Sequence, residues 1–300
     1  MRVALGVDIG GTGTKLGVVG EDGAIVSPTS VPTSDERGPA DLVARIAAAV
    51  APLVATAREA GRTIAGCGVS VAGFLDRERE AMHGNANLPR LCGFPLRRAL
   101  ESRLGMQCRL EVDSNAALLA EHRHGAVRGT SRALGVTVGT GLGGAVLVDG
   151  QLLRYTGECA GDLGHIILDP DGRPCSCGAR GCLEAMVNTA ALRERGGGRT
   201  VREIIAAAGS GEQGARDALA ETGWWLGLGL AALSPVFAPE RIVVGGGVAA
   251  AGELLLAPTR ESYVQHAAPA HAETVAIAGS AFAGWEGIVG AASLVFHGDA

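Results

Sequence analysis

The chain repeats itself, and the repeat restricts its fold more than any other feature. Leu5-Gly-Val-Asp-Ile-Gly-Gly-Thr, then an apolar strand and Asp22-Gly23, matches Leu134-Gly-Val-Thr-Val-Gly-Thr-Gly, then Ala145 to Val148 and Asp149-Gly150. Each copy reads as strand, glycine turn, strand, and Asp-Gly then favours a hairpin because glycine accepts positive φ. A unit duplicated about half a chain apart predicts two lobes, which suits 300 residues better than one domain. Around the first copy, strands are predicted at Val3 to Ile9, Leu16 to Val19, Ala24 to Val26 and Gly66 to Val71. The apolar spacing of Leu42, Val43, Ile46, Val50, Leu53 and Val54 predicts a helix over Ala40 to Ala60. Further on, helices are predicted at Arg199 to Ala208, Asp217 to Leu233, Val248 to Leu256 and Ala281 to Phe296, with a short buried strand at Arg241 to Val244. Strands alternating with helices give an α/β class. The lobes are expected to divide near Asp113, as 1–113 completed by a C-terminal helix at 283–300, and 114–282.

A formal charge of −5 offers no basic face for nucleic acid. The longest apolar run, Trp224 to Phe237, is too short to span a bilayer and contains Gly227, Gly229 and Pro235. No signal peptide is legible at the N-terminus, and seven cysteines without one argue against a disulfide framework, so a cytoplasmic location is expected. Lys15 is the one lysine, and its role is not legible. Glycine supplies 47 residues, well above the usual share of about 7%. Beyond the glycine clusters described next, the surplus reads as codon bias.

Asp8-Ile-Gly10-Gly11-Thr12-Gly13-Thr14-Lys15 is a glycine turn whose N–H groups can meet phosphate oxygens; a plain hairpin is the alternative. The second copy, from Gly139 through Thr140 and Gly141 to Gly144, and a third cluster, Gly245-Gly246-Gly247, suit a triphosphate gripped from two sides with adenine against the third. Asp8 suits a water-mediated Mg²⁺, or else a turn-capping role. Cys175, Cys177 and Cys182 lie on a glycine-bent knuckle, and His165 supplies a fourth ligand for a closed, structural zinc site. Cys159 competes for that fourth place, and buried reduced thiols are the rival reading. Cys67, Cys92 and Cys108 are expected in the core. Asp113, where a strand runs into a helix, reads either as an N-cap or as a general base deprotonating a hydroxyl.

Together these motifs resemble the ROK family of sugar kinases over essentially the whole chain. The carriers are Asp8 to Lys15, Val112-Asp113-Ser-Asn115-Ala-Ala, Gly139 to Gly144, Gly161-Asp-Leu-Gly-His165, and Cys175-x-Cys177-Gly-x-x-Gly-Cys182-x-Glu184. The resemblance implies an actin-like, ribonuclease-H-like fold with an active-site cleft between two lobes. It also implies transfer from ATP, with Mg²⁺, to a hexose 6-hydroxyl, and a homodimer or homotetramer. By position Asp113 matches the catalytic base, His165 a zinc ligand that also touches sugar, Glu184 a sugar-binding carboxylate and Gly73 a glycine lining the sugar site. The sequence departs from the family where Val112 replaces an Asn that contacts the sugar 3-hydroxyl, Asp162 replaces a Glu, and Ala72 replaces a Pro. Altered recognition at C3 follows, with glucose, a 3-amino sugar such as kanosamine, or an N-acetylhexosamine as substrates. A ROK regulator would need a DNA-binding module ahead of the first glycine turn, where seven residues stand. A sugar-binding protein without catalysis would not need Asp113 and both turns.

Overall fold

The computed structural model describes residues 1–84, 88–154 and 162–297. Cys159 and Gly161 therefore lie outside the described residues, as do the last three positions of the predicted C-terminal helix. Two compact units divide the chain.

The first unit takes 1–128, Arg154 and the C-terminal stretch from Trp285. It contains β1 (Arg2–Ile9), β2 (Gly13–Gly20), β3 (Ile25–Pro32), α1 (Pro39–Glu59), β4 (Thr63–Val71), β5 (Phe74–Leu75), β6 (Met82–Gly84), α2 (Leu96–Leu104), β7 (Cys108–Val112) and α3 (Asp113–His124). Its main sheet has the order β3-β2-β1-β4-β7, with β1–β2–β3 antiparallel and β4 and β7 parallel to β1. The predicted stripe of α1 is buried at Leu42, Val43, Ile46, Val50 and Leu53, and it forms one core with Val3, Leu5 and Val7 of β1. By length and composition α1 would also cross a membrane; here its apolar stripe is spent on that core.

The second unit takes 129–153 and 162–284. It contains β8 (Ala133–Val138), β9 (Leu142–Val148), β10 (Gln151–Leu152), α4 (Leu183–Val187), α5 (Thr189–Arg195), α6 (Val201–Gly209), α7 (Gln213–Phe237), β11 (Arg241–Gly245), α8 (Glu253–His266), α9 (Pro269–Thr274) and β12 (Ala276–Gly279). Its sheet order, β10-β9-β8-β11-β12, again joins three antiparallel strands to two parallel ones. The sequence repeat is therefore a repeat of topology, with β1–β2 and β8–β9 as matching hairpins. The apolar run at Trp224 to Phe237 is the second half of α7, whose Leu226, Leu230 and Leu233 are core residues.

Three expectations shift. The first unit runs past Asp113, because α3 packs on α10 (Glu286–His297) so closely that a Cβ on Gly290 would overlap the Ala116 carbonyl. The helix predicted at Val248 to Leu256 is a 3₁₀ turn over Val248–Ala251, broken by Gly252 at φ 58° before α8 begins. The C-terminal helix begins at Glu286 rather than Ala281.

Several glycines outside the predicted clusters stand where two backbones approach closely. A Cβ on Gly6 or Gly68 would overlap the carbonyls of Ile288 or Ala291 in α10. One on Gly223 or Gly227 of α7 would meet backbone of α8 at Leu255 or Thr259. These glycines let α10 lie directly on the first sheet and α7 directly on α8.

Candidate functional site

In the first unit the glycine turn joins β1 to β2, with Asp8 paired across to Lys15. Gly10 N–H closes the turn on the Gly13 carbonyl at 3.1 Å, leaving Gly11, Thr12 and Gly13 exposed and Thr14 buried. Asp8 is half-buried near the strand end and accepts the Ser70 hydroxyl from β4. Burial pushes its carboxyl pKa up, opposed by Ser70 and the Lys15 charge, while Glu286 adds to the rise. Lys15 Nζ lies 5.7 Å from the centre of the Trp285 ring, so the single lysine stands between a carboxylate and an aromatic face.

The β7–α3 junction lies at the same end of this sheet, since Val112 pairs with Val71 of β4 and Val71 with Ile9 of β1. Asp113 is the first residue of α3 and Val112 occupies the cap position, so the N-cap reading of Asp113 gives way. Its Oδ1 accepts the Ser114 N–H at 2.7 Å. Sequence reasoning missed Glu111, which is buried at 1% exposure. Its Oε1 accepts from Val112 N (3.0 Å) and Asn115 Nδ2 (3.1 Å), and its Oε2 from Arg154 Nε (2.9 Å) and Arg79 Nη1 (3.1 Å). Four donors fill the lone pairs of one carboxylate, which fixes the strand end and the first helical turn that carry Asp113. An acidic residue between two apolar ones, Leu110 and Val112, was the available signal. Gly73, two residues beyond β4, has φ 114°, a conformation suited to glycine.

In the second unit the hairpin β8–β9 turns through Gly139 to Gly141, closed by Gly139 N–H to the Gly141 carbonyl at 2.9 Å, with Thr140 exposed. Gly245 pairs with Thr137 at the root of this hairpin, so Gly245–Gly247 stands beside it. Gly246, at φ 87°, packs against the backbone of Val138.

The His/Cys cluster lies next to that hairpin. Ligand atoms of His165, Cys175, Cys177 and Cys182 all fall within 4.8 Å of one another. Zinc with bonds of about 2.3 Å to sulfur would separate tetrahedral ligands by about 3.8 Å. Cys177 and Cys182 Sγ are 3.7 Å apart, and Cys175 Sγ is 3.6 Å from His165 Nδ1. The donor set therefore fits zinc, with four protein ligands and no open position. The Ala179 N–H holds the Cys177 thiol below its usual pKa, whereas burial pushes Cys182 up to about 12. A cation between them would reverse that preference for the neutral thiol. The other ring nitrogen, His165 Nε2, lies 3.4 Å from Asp162 Oδ2, a carboxylate whose pKa is raised by burial and by Glu184 against the pull of His165. Glu184, in the first turn of α4, ties the knuckle to the hairpin: Ser176 Oγ donates to its Oε1 at 3.0 Å and Leu142 N to its Oε2 at 2.9 Å.

The repeated five-stranded sheets, each with a glycine hairpin at its polar end, are those of the actin-like ATPase fold. The ROK family model matches residues 4–297, and the chain belongs to the ROK family. It is 33% identical to a glucokinase of Thermotoga maritima, with 97% of this chain and 96% of that protein covered. It is also 33% identical to an N-acetylmannosamine kinase of Salmonella newport, with 98% of each covered. Among solved structures, a ROK glucokinase from Streptomyces griseus in complex with glucose and AMPPNP superposes with a TM-score of 0.87 at 33% identity, covering 99% of this chain and 100% of that one.

Proposed function

We propose that this protein is an ATP-dependent sugar kinase that phosphorylates the 6-hydroxyl of glucose or a glucose-like hexose. The observation that carries this reading is Asp113, a carboxylate presented at the β7–α3 junction and held there by the Glu111 network, in a chain whose full-length relatives are sugar kinases. Asp113 accepts the hydroxyl proton as that oxygen attacks the γ-phosphorus. Backbone N–H groups at the exposed tip of the Gly10–Lys15 turn, Gly11 to Gly13, and those of Thr140 and Gly141 hold the phosphates, and Gly245–Gly247 lies against the adenine. Asp8 is a single carboxylate, which suits a Mg²⁺ that keeps most of its waters and takes its other ligands from phosphates. That ion would supply neutralisation of charge on the transferring phosphoryl group. His165, Glu184, Asp162, Gly73 and Val112 form the sugar side. A cytoplasmic homodimer or homotetramer is part of the same proposal.

Val112 places an apolar side chain where the family has an amide, so recognition at C3 differs. A site that lacks a partner for a substrate hydroxyl discriminates poorly in its favour. Two further substrates follow. A 3-amino sugar such as kanosamine would present donors to Asp162, and an N-acetylhexosamine is supported by the N-acetylmannosamine kinase relative. We expect kcat/KM measured for glucose, kanosamine, N-acetylglucosamine, N-acetylmannosamine and fructose to show no strong preference for glucose, and Val112→Asn to shift the ratio toward it. A large preference for glucose in the parent would remove the C3 argument.

Zinc at the knuckle would act as a clamp on His165 and Glu184. Elemental analysis should find about one zinc per chain, and Cys177→Ser should lower both zinc content and sugar affinity. Full sugar affinity in zinc-free protein would sink the clamp.

A further inference from the structure

Both glycine hairpins are held by the same device. In the first, Thr33, one residue beyond β3, donates its Oγ1–H to the Gly10 carbonyl at 2.7 Å and its N–H to the Thr12 carbonyl at 3.0 Å. In the second, Thr189, the first residue of α5, directs its Oγ1–H and its N–H to the Gly139 carbonyl, each at 2.8 Å. Gly10 and Gly139 are equivalent in the repeat, each the first residue past its strand, β1 or β8. The threonines are not equivalent: one follows a strand and the other opens a helix. The same contact has thus been reached from two different elements.

Each threonine is itself fixed. Thr33 is fully buried; its hydroxyl lies 3.0 Å from Thr14 Oγ1, and its carbonyl accepts from Arg45 Nη2 at 2.6 Å. Thr189 is placed by Asn188, whose side chain caps α5 by accepting the Ala191 N–H at 2.9 Å. At the far end of the second turn, Glu184 holds Leu142 N, so the turn is anchored on both sides.

A loop that binds phosphate offers N–H groups and must keep its carbonyl oxygens, which repel the anion, occupied elsewhere. A hydroxyl bonded to the first glycine carbonyl does this and fixes the peptide plane at the entry to the turn. We infer that Thr33 and Thr189 are positioning residues for nucleotide binding, one for each hairpin, acting through the Gly10 and Gly139 carbonyls. The inference rests on the reading of both hairpins as phosphate loops.

The test uses the full-length protein, with AMPPNP affinity measured by calorimetry. Thr189→Val should weaken AMPPNP about five- to tenfold, the effect of one lost hydrogen bond. It should leave the affinity for the best sugar of the panel within about twofold, while Thr189→Ser restores AMPPNP binding. Thr33→Val should act alike, and the double variant should multiply the two losses. Because Thr33 is buried, its melting temperature is recorded too; should Thr33→Val unfold, the Thr189 variants decide alone. Unchanged AMPPNP affinity in Thr189→Val, an equal loss of sugar affinity, or failure of serine to rescue would each overturn the inference. Thr140→Glu, which puts a negative charge on the exposed tip of the second turn, separates the premises. If it fails to weaken AMPPNP, the phosphate-loop reading falls; if it weakens AMPPNP and Thr189→Val does not, only the threonine assignment falls.

Discussion

Asp113→Asn should lower kcat by about 10²- to 10⁴-fold, the usual contribution of a positioned general base, with little change in AMPPNP affinity or melting temperature. The amide keeps the size of the carboxylate and still accepts the Ser114 N–H through its carbonyl oxygen, so the first turn of α3 retains that bond. What it loses is the capacity to take a proton. Glu111, with its four donors, is untouched, so the junction keeps its shape. The expected signature is therefore a fall in kcat and kcat/KM together. An Asp113→Asn variant that kept parental kcat would remove Asp113 as the base. A variant that lost nucleotide binding as well would make the residue structural.

How much of this was legible in the sequence depends on whether the signal was local. The hairpins were legible because glycine turns and Asp-Gly steps are short-range signals, and the repeat doubled them. The knuckle was legible because three cysteines within eight residues have little else to do, and its geometry brings His165 to Cys175 as expected. Val112 and Asp113 were placed by motif spacing. Glu111, Ser176, Thr33 and Thr189 were not found, since each acts on a partner fixed only by the tertiary fold. Thr33 meets a carbonyl 23 residues back and Thr189 one 50 residues back. The domain break was misplaced for the same reason: α3 follows β7 directly, and nothing local reveals that α10, from the far end of the chain, packs on it.

The glycines supply the other large effect. Gly290→Ala should destabilise the first unit by about 3 kcal/mol, at the upper end of what overpacking costs. That would lower the melting temperature of the unit by about 6 to 12 °C. The added methyl has nowhere to go: it would overlap the carbonyl of Ala116 in α3, and backbone atoms of two packed helices cannot rotate away as a side chain can. Relief requires α10 to move, yet α10 is pinned on its other side, where Gly6 and Gly68 of the sheet bring β1 and β4 against the carbonyls of Ile288 and Ala291. Gly287 lies against the Asp8 carboxylate in the same helix. A shift of α10 therefore reaches the first glycine hairpin, and Gly290→Ala should weaken AMPPNP as well as stability. Gly209→Ala is the matched control. It is exposed at the end of α6, its φ is not in the left-handed region, and no described atom beyond its chain neighbours and its own helix backbone lies within 4 Å of the new methyl. Alanine there should be neutral or slightly stabilising, because it has the higher helix propensity. Equal melting temperatures for the two variants would return the glycine surplus to codon bias. A loss confined to Gly290→Ala would make close helix–sheet and helix–helix approach the reason the chain carries so many.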